Sequence, residues 1–595
     1  MLDVFKSLNK EQKKAVEAVQ GPSVVLAGAG SGKTRVLIHK VLNLIINHNV
    51  PSSSIVMITF TNKAAREMKE RIEKATGNNL ALGYVGTFHS FCGTILRRDG
   101  EHIGIPRTFS IYDTNDQQDV IKQILKKIDG QKYSPSYFLN RISDAKNQLV
   151  TPERYLEVYS FYRAATVAEI YYEYQKILKK NSAVDFDDLI MRSVELFRKH
   201  PEILEKYQRR FTHFLVDEFQ DTNIAQYTFV RLLSQQTKNI TVVGDFSQSI
   251  YSWRGADIRN LEKFSVDFPD AQVFKLEENY RSTQKILDMA FEVISVNQTH
   301  PILQLFTKNS PGEEIVYHQA ENEEEEATYI ADQIQQLANT ADYAEMAVLF
   351  RTNAQSRVIE EMFLHYGIPY VLIGGVRFYE RKEIKDLLSY LRLLLHPTDL
   401  VATERIKKLG KRRWDKFKEL YQEIKDQVEE IPTVEILEKI FVEVGYLELY
   451  DPDIPEDYAR LENIKELKSV AINIPQLVAF LEQVALVESE YFQGEKGGKD
   501  GVRLMTMHQA KGLEFEYVFI AGVEEGILPH SRSIDDLNQL EEERRLFYVG
   551  ITRARQQLYI TYAKRRFIFG RRNAAIKSRF IRKEDEAVED EWNYF

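Results

Sequence analysis

The sequence predicts an α/β protein with two parallel-sheet domains, each interrupted by a mainly helical insertion. Three observations carry this. Short apolar runs alternate with amphipathic helical stretches in both halves. One of these runs, Ser23–Ala27, breaks into a small-residue loop ending in Gly32-Lys33-Thr34. Two long tracts, at about 106–183 and 379–496, are helical in pattern and lack any phosphate-handling signature.

At 595 residues the chain is too long for one domain and has ample apolar content for several cores. Its net charge of −9 gives no global basic field, so a nucleic acid would have to be held in a local groove. A single cysteine, Cys92, excludes a disulfide framework, a four-cysteine cluster and a zinc ribbon, and points to a reducing compartment. The opening residues show no cationic region followed by an apolar run, and no stretch approaches eighteen uninterrupted apolar residues. A cytoplasmic, membrane-free protein is the expectation.

In chain order, Gln12 enters the first helix, where a carboxamide can pair with the edge of adenine. Ser23–Ala27 follows as a buried strand. The loop Ala27, Gly28, Ala29, Gly30, Ser31, Gly32 then opens a helix patterned on Leu37, Val41, Leu44 and Ile45. Its amides can cradle phosphates, with Lys33 on the β and γ oxygens and the Thr34 hydroxyl on Mg²⁺. Ala27 occupies the place of the first glycine of the general pattern, yet three glycines remain to admit a close phosphate.

Ile55–Thr59 is a second strand, and Phe60 with the polar run after it suits a backbone contact beside a stacking platform. Val85–Phe91, with His89, repeats the recipe. The tyrosines of the first insertion, including Tyr171, Tyr172 and Tyr174, read as core. Thr212–Val216 runs into Asp217-Glu218, a pair able to divide metal binding and water activation. Ile240–Val243 leads to Gln248, placed to sense a γ-phosphate, and to Tyr251, Trp253 and Arg254, placed to face a base and its phosphate. Strand-like runs recur at Ile315–His318, Met346–Phe350, Tyr370–Ile373, Val502–Thr506, Tyr517–Ile520 and Leu558–Thr561, in a half without a phosphate loop. The glutamates 323–326 read as favourable charge at a helix start.

These motifs, together with Asn279–Ser282, Arg351–Arg357, Thr506–Phe515 and Glu541–Ala554 in this order, resemble the UvrD/Rep/PcrA group of superfamily 1A DNA helicases. The resemblance spans nearly the whole chain. It implies two RecA-like domains at 1–105 with 184–277 and at 278–378 with 497–582, the helical insertions 106–183 and 379–496, and an acidic tail, 583–595. It further implies ATP with Mg²⁺, the metal on Thr34 and Asp217, the base Glu218, and Arg281 and Arg553 reaching the γ-phosphate from the second domain. Tyr280 would stack on adenine beside Gln12 and Arg35, and Glu514 would couple the second domain to the nucleotide. Phe60, His89, Phe186, Tyr251, Trp253, Arg254, Arg351 and His508 would follow single-stranded DNA, and 3′-tailed duplex would be the substrate for 3′→5′ unwinding. The second insertion is short, its glycine turn reduced to Leu409-Gly410-Lys411, and the basic window from Arg405 to Lys416 is expected to meet duplex. Unlike many members of that group, the chain is not expected to carry a long C-terminal extension. A translocase that strips proteins from single strands while unwinding weakly is the second reading. A non-catalytic subunit would be expected to lose Lys33, Glu218 or an arginine, and all are present.

Overall fold

The computed structural model describes residues 4–76, 82–128, 134–494, 500–568 and 571–581. The acidic tail and most of the loop 494–501 lie outside these residues. Two compact units divide the chain: residues up to Arg281 with Ile294–Asn309, and Ser282–Val293 with the chain from Ser310 onward.

The first unit has ten strands: β1 (Ser23–Ala27), β2 (Ile55–Thr59), β3 (Tyr84–Thr87), β4 (Ser110–Tyr112), β5 (Ala183–Asp185), β6 (His213–Val216), β7 (Ile240–Gly244), β8 (Gln272–Leu276), β9 (Glu278–Asn279) and β10 (Phe306–Thr307). Six of them make one parallel sheet in the order β3-β2-β6-β7-β1-β8. Strands β1, β2 and β7 are buried along their whole length because both faces are covered. Val24, Leu26, Val56 and Ile58 pack to one side with Phe88 and Phe91, and Val25, Ala27, Ile55 and Met57 to the other with Val36 and Val41. Strand β8 escaped the sequence reading, since it lies at the sheet edge with Gln272, Val273 and Lys275 exposed. The short parallel pair β4 and β5 brackets the helices Thr114–Leu125, Pro135–Asn147 and Ala164–Lys180. On the last of these, Tyr171 and Tyr174 share a buried face, whereas Tyr172, one position round the helix, is half exposed and is not core.

The segment Glu278–Arg281, expected with the second sheet, belongs to the first unit. The cause is local pairing: β9 runs parallel to β10, and Tyr280 N donates to Gly30 O at 3.0 Å.

In the second unit, β11 (Val316–Ala320), β12 (Met346–Phe350), β13 (Tyr370–Leu372), β14 (Val502–Thr506), β15 (Phe515–Ile520) and β16 (Ala554–Ala563) form a parallel sheet in the order β11-β16-β15-β12-β14-β13. β17 (Arg565–Ile568) and β18 (Arg571–Ala574) add an antiparallel hairpin. Between β13 and β14 the chain is helical from Lys382–Leu395 to Leu477–Gly494. This insertion holds its own apolar core, Phe378 to Val487, separate from the cluster that covers the sheet. Among the described residues no helix is long and apolar enough to cross a membrane.

Candidate functional site

The first unit builds a phosphate cradle from its loop upward. Gly30 and Gly32 adopt left-handed backbone, φ +63° and +85°, and the helix α2 (Lys33–Ile46) starts at once. Space enforces glycine as well: a Cβ on Gly28 would lie 2.3 Å from Leu305, one on Gly30 2.8 Å from Asn279 Nδ2, and one on Gly32 2.9 Å from Gln12 Nε2. The loop is braced from outside. Gln12 Nε2 donates to Ser31 O at 2.9 Å and Asn279 Nδ2 to Ala29 O at 2.7 Å. Ser31 Oγ donates to Gly28 O. Ala27 and Ala29 are buried beneath, and Thr34 and Arg35 follow in the first helical turn, half-buried.

Gln12 thus differs from its expected part. It is fully buried, its Oε1 accepts from Asn9 N, and its carboxamide holds the loop rather than standing open to a base. Asn9 instead reaches the Tyr280 hydroxyl at 2.8 Å, and Tyr280 keeps a 43 % exposed ring against this end of α1 (Lys10–Glu17). Arg281 N donates to Asn279 Oδ1, so Arg281 is fixed beside the loop in the same unit as Lys33, not in the other one.

Asp217 and Glu218 leave the end of β6. Asp217 is buried, and burial together with the charge of Glu218 pushes its carboxyl up to about 7 against the opposing pull of Lys33. Glu218 has left-handed backbone, φ 50°, an uncommon choice for a side-chain-bearing residue that costs about 1–3 kcal/mol. Its own N–H donates to Asp217 Oδ1 at 3.0 Å, and Gln220 Nε2 donates to Glu218 Oε2. Lys33 Nζ lies 3.4 Å from Gly28 O and 4.0 Å from Asp245 Oδ2. Gln248 Nε2 donates to Asp245 Oδ2 at 2.7 Å, which ties the predicted phosphate sensor to the lysine through one carboxylate.

The cradle fits a nucleoside triphosphate: glycines in left-handed backbone, a helix start and a lysine that is only loosely engaged. A hard divalent cation also fits. The Asp217 carboxylate and the Thr34 hydroxyl are oxygen donors of the kind such a cation takes, and among the described residues no group of three His, Cys, Asp or Glu side chains could hold a metal.

The aromatic candidates of this unit sit at strand ends. Phe60 meets Phe88 edge-on at 5.9 Å, and His89 meets Phe186 edge-on at 6.0 Å. Burial lowers the His89 pKa, so the ring is neutral near pH 7. Phe186 and Trp253 are 50 % and 45 % exposed, a large apolar area to leave in water. Arg254 lies over the Trp253 ring at 4.5 Å with Tyr251 beside it.

The second unit places its candidates differently. Arg351 is not presented outward, because its guanidinium forks onto both oxygens of Glu543 at 2.6–3.1 Å. His508 is half-buried just beyond β14, and Glu514 is exposed ahead of β15. Arg553 is 1 % exposed, with Nε donating to Val549 O and Nη1 to Leu513 O. Of the basic window, Arg405 pairs with Asp386, Arg412 forks onto Glu448, and Arg413 donates to Gly445 O and Leu409 O. Lys408 and Lys411 stand exposed.

Residues 8–269 match the family model of the UvrD/Rep helicase N-terminal domain, and 274–436 with 407–565 match that of the UvrD-like helicase C-terminal domain. The ATP-dependent DNA helicase PcrA of Bacillus subtilis is 44% identical, over 97% of this chain and 86% of that protein. The chain belongs to the UvrD/Rep helicase family. PcrA of Staphylococcus aureus is 43% identical over 98% of this chain and 86% of its own length, and PcrA of Staphylococcus epidermidis 43% over 99% and 87%.

Three residues of this UvrD/Rep-family site escaped the sequence reading. Asp245 gathers Lys33 and Gln248, Gln220 joins Glu218 Oε2 to Asp245 N, and Asn279 braces Ala29. For Asp245 a signal was present, an acid directly at the end of an apolar strand. Gln220 and Asn279 act through tertiary bonds that no local spacing marks.

Proposed function

We propose that this chain is an ATP-dependent DNA helicase that moves 3′→5′ on single-stranded DNA and opens 3′-tailed duplex. The observation that carries the reading is the braced loop with Lys33 close to Asp245, in the same unit as the strained Asp217-Glu218 pair. Full-length similarity to proteins named ATP-dependent DNA helicases supports it.

In the chemistry proposed here, loop amides and Lys33 bind the phosphates of ATP. Thr34 and Asp217 would hold Mg²⁺, which supplies charge neutralisation on the β- and γ-phosphates. Glu218 accepts a proton from a water whose oxygen bonds to the γ-phosphorus, as the bond to the β–γ bridging oxygen breaks and ADP takes that electron pair. Gln220 orients the Glu218 carboxylate, and Gln248 through Asp245 reports the phosphate state toward Tyr251, Trp253 and Arg254. Tyr280 offers its ring to adenine. Arg281 acts from beside the loop, and Arg553 is proposed to serve transition-state charge. Phe60, His89, Phe186, Tyr251, Trp253, Arg254 and His508 are proposed to meet the strand, while Arg351 positions its segment through Glu543.

Lys33→Ala and Glu218→Gln test the assignment. Both should abolish turnover, but the lysine variant should bind ATP weakly, whereas the near-isosteric glutamine variant should still trap it. A Glu218→Gln protein that hydrolyses ATP at the wild-type rate would remove Glu218 as base. Unwinding of 3′-tailed, 5′-tailed and blunt duplex beside strand-stimulated ATPase separates the helicase from the protein-stripping translocase.

A further inference from the structure

Behind Phe186 lies a buried charge cluster that the chemistry above does not use. Lys146, at the end of the helix Pro135–Asn147, has no exposed surface. Its ammonium donates to Asp185 Oδ2 at 2.6 Å and lies 3.0 Å from Asp188 Oδ1. Asp185 and Asp188 are the reciprocal caps of the helix Phe186–Lys199, each accepting the other's backbone N–H. Tyr174 OH donates to Asp185, and Gln175 Nε2 to Asp188. A lysine from the inserted subdomain thus grips both sides of the turn from which Phe186 projects. Such a buried cluster is often no more stabilising than apolar packing of the same volume, so its presence is weak evidence for a stability role.

The next residue, Asn147, lies against the turn that carries the other exposed ring. Asn147 Oδ1 accepts from Asn223 Nδ2 at 2.7 Å, and Asn223 caps the helix Ile224–Ser234. A Cβ on Gly255 would stand 3.4 Å from the Asn147 Cβ, and Gly255, φ +84°, closes the turn Ser252–Arg254 that carries Trp253. Two consecutive residues at one helix end therefore meet the turn that carries Phe186 through charged hydrogen bonds and abut the turn that carries Trp253 by packing at Gly255.

We infer that Lys146 and Asn147 are positioning residues that set the spacing of two base-stacking rings, Phe186 and Trp253, and so give the first insertion control over how firmly a single strand is gripped. This rests on the reading that those rings meet the strand. The test uses the full chain, a fluorescent oligodeoxythymidylate and double-mutant cycles. Phe186→Ala and Trp253→Ala should each weaken binding about five-fold or more, the loss of one base-stacking aromatic. Lys146→Met should weaken it comparably alone and by less than about two-fold in the Phe186→Ala background, because the ring it positions is already gone. Asn147→Ala should behave likewise toward Trp253→Ala. The oligonucleotide concentration that half-saturates ATPase should rise by the same factor, with the rate at saturating oligonucleotide little changed. Should Lys146→Met fail to fold, Asp185→Asn keeps a capping oxygen while dropping the charge that Lys146 meets, and should give the same pattern.

A lower melting temperature with unchanged affinity, in a protein where Phe186→Ala does weaken binding, would make the cluster structural only and overturn the inference. Losses that multiply instead of overlapping would overturn it too. If neither ring variant weakens binding, the strand reading falls, taking the inference with it, and that pattern differs from the other two.

Discussion

Lys40 lies two turns along α2 from Lys33, and its ammonium donates to Ala15 O at 3.1 Å and Ser23 Oγ at 3.2 Å without a carboxylate at hand. Burial lowers its pKa from 10.5 to about 7, and His213, which faces it, is lowered as well, first by burial and then by Lys40. The unfolded chain therefore binds a proton that the folded chain refuses between about pH 7 and 10.5, so stability is lost as pH falls across that window, at up to ~1.4 kcal/mol per unit. Lys40→Met should raise stability most at pH 7 and flatten its rise between pH 7 and 9. Denaturation curves, with hydrogen exchange of the α2 amides to localise the change, check this; an unaltered slope would show that Lys40 is charged in place. At Arg553 the expectation is kinetic. Arg553→Ala should lower kcat about 10³-fold or more with KM for ATP little changed, the signature of a group acting on transition-state charge. Steady-state kinetics decides, and a rise in KM at constant kcat would make it a ground-state ligand.

At the scale of elements, the window between Arg405 and Lys416 shows what pairing does to a charge run. With Arg405, Arg412 and Arg413 paired within the insertion, the proposal that this window meets duplex rests on Lys408 and Lys411, which stand exposed. Changing both to Ala should flatten the dependence of log K on log salt for a tailed duplex by about 0.9 for each phosphate no longer neutralised, and leave single-strand binding unmoved. An unaltered slope removes this surface from duplex binding. Legibility follows the same division between local and tertiary causes. The strands Ile55–Thr59 and Met346–Phe350 were readable to the residue because burial on both faces writes a nearly unbroken apolar run, and Val502–Thr506 was readable despite the half-buried Arg503 within it. The loop Gly28–Thr34 was readable for the same reason: its chemistry is contiguous in the chain. Strand β8 was not, since an edge keeps polar residues. Nor was the burial of Gln12 under Ser31, the fork of Arg351 onto Glu543, or the side on which Arg281 falls, each set by a partner distant in sequence.

Across the whole molecule, cores and seams differ in kind. The second insertion packs its own apolar cluster from Phe378 to Val487, while polar bonds meet its helix Pro455–Asn473: Arg357 to Glu466 at 2.7 Å, Arg381 to Asn463 at 2.8 Å and His530 to Glu462 at 3.2 Å. These partners are mostly buried, the side chains of Arg357, Arg381 and His530 being 13 %, 9 % and 8 % exposed, so salt screens them far less than it screens exposed pairs. Raising salt to about 1 M, well beyond the screening of exposed pairs, should therefore leave both proteolysis in the strap Ile373–Arg377 and hydrogen exchange inside the insertion slow. Equal acceleration of both would mean that seam and core open together.

The chain passes between its units after Arg281, after Val293 and after Asn309, and the last return brings Leu305 over Gly28 and β10 against β9. Cut once at the first crossing, the gene would yield an amino-terminal fragment with a complete phosphate-loop sequence but without the leucine that covers it or the strand that holds Asn279 in place. Neither motor half is therefore a cassette. A chimera that exchanges the nucleotide-binding unit among relatives must carry residues through Asn309 and take the twelve-residue excursion Ser282–Val293 along as a foreign element of the other unit.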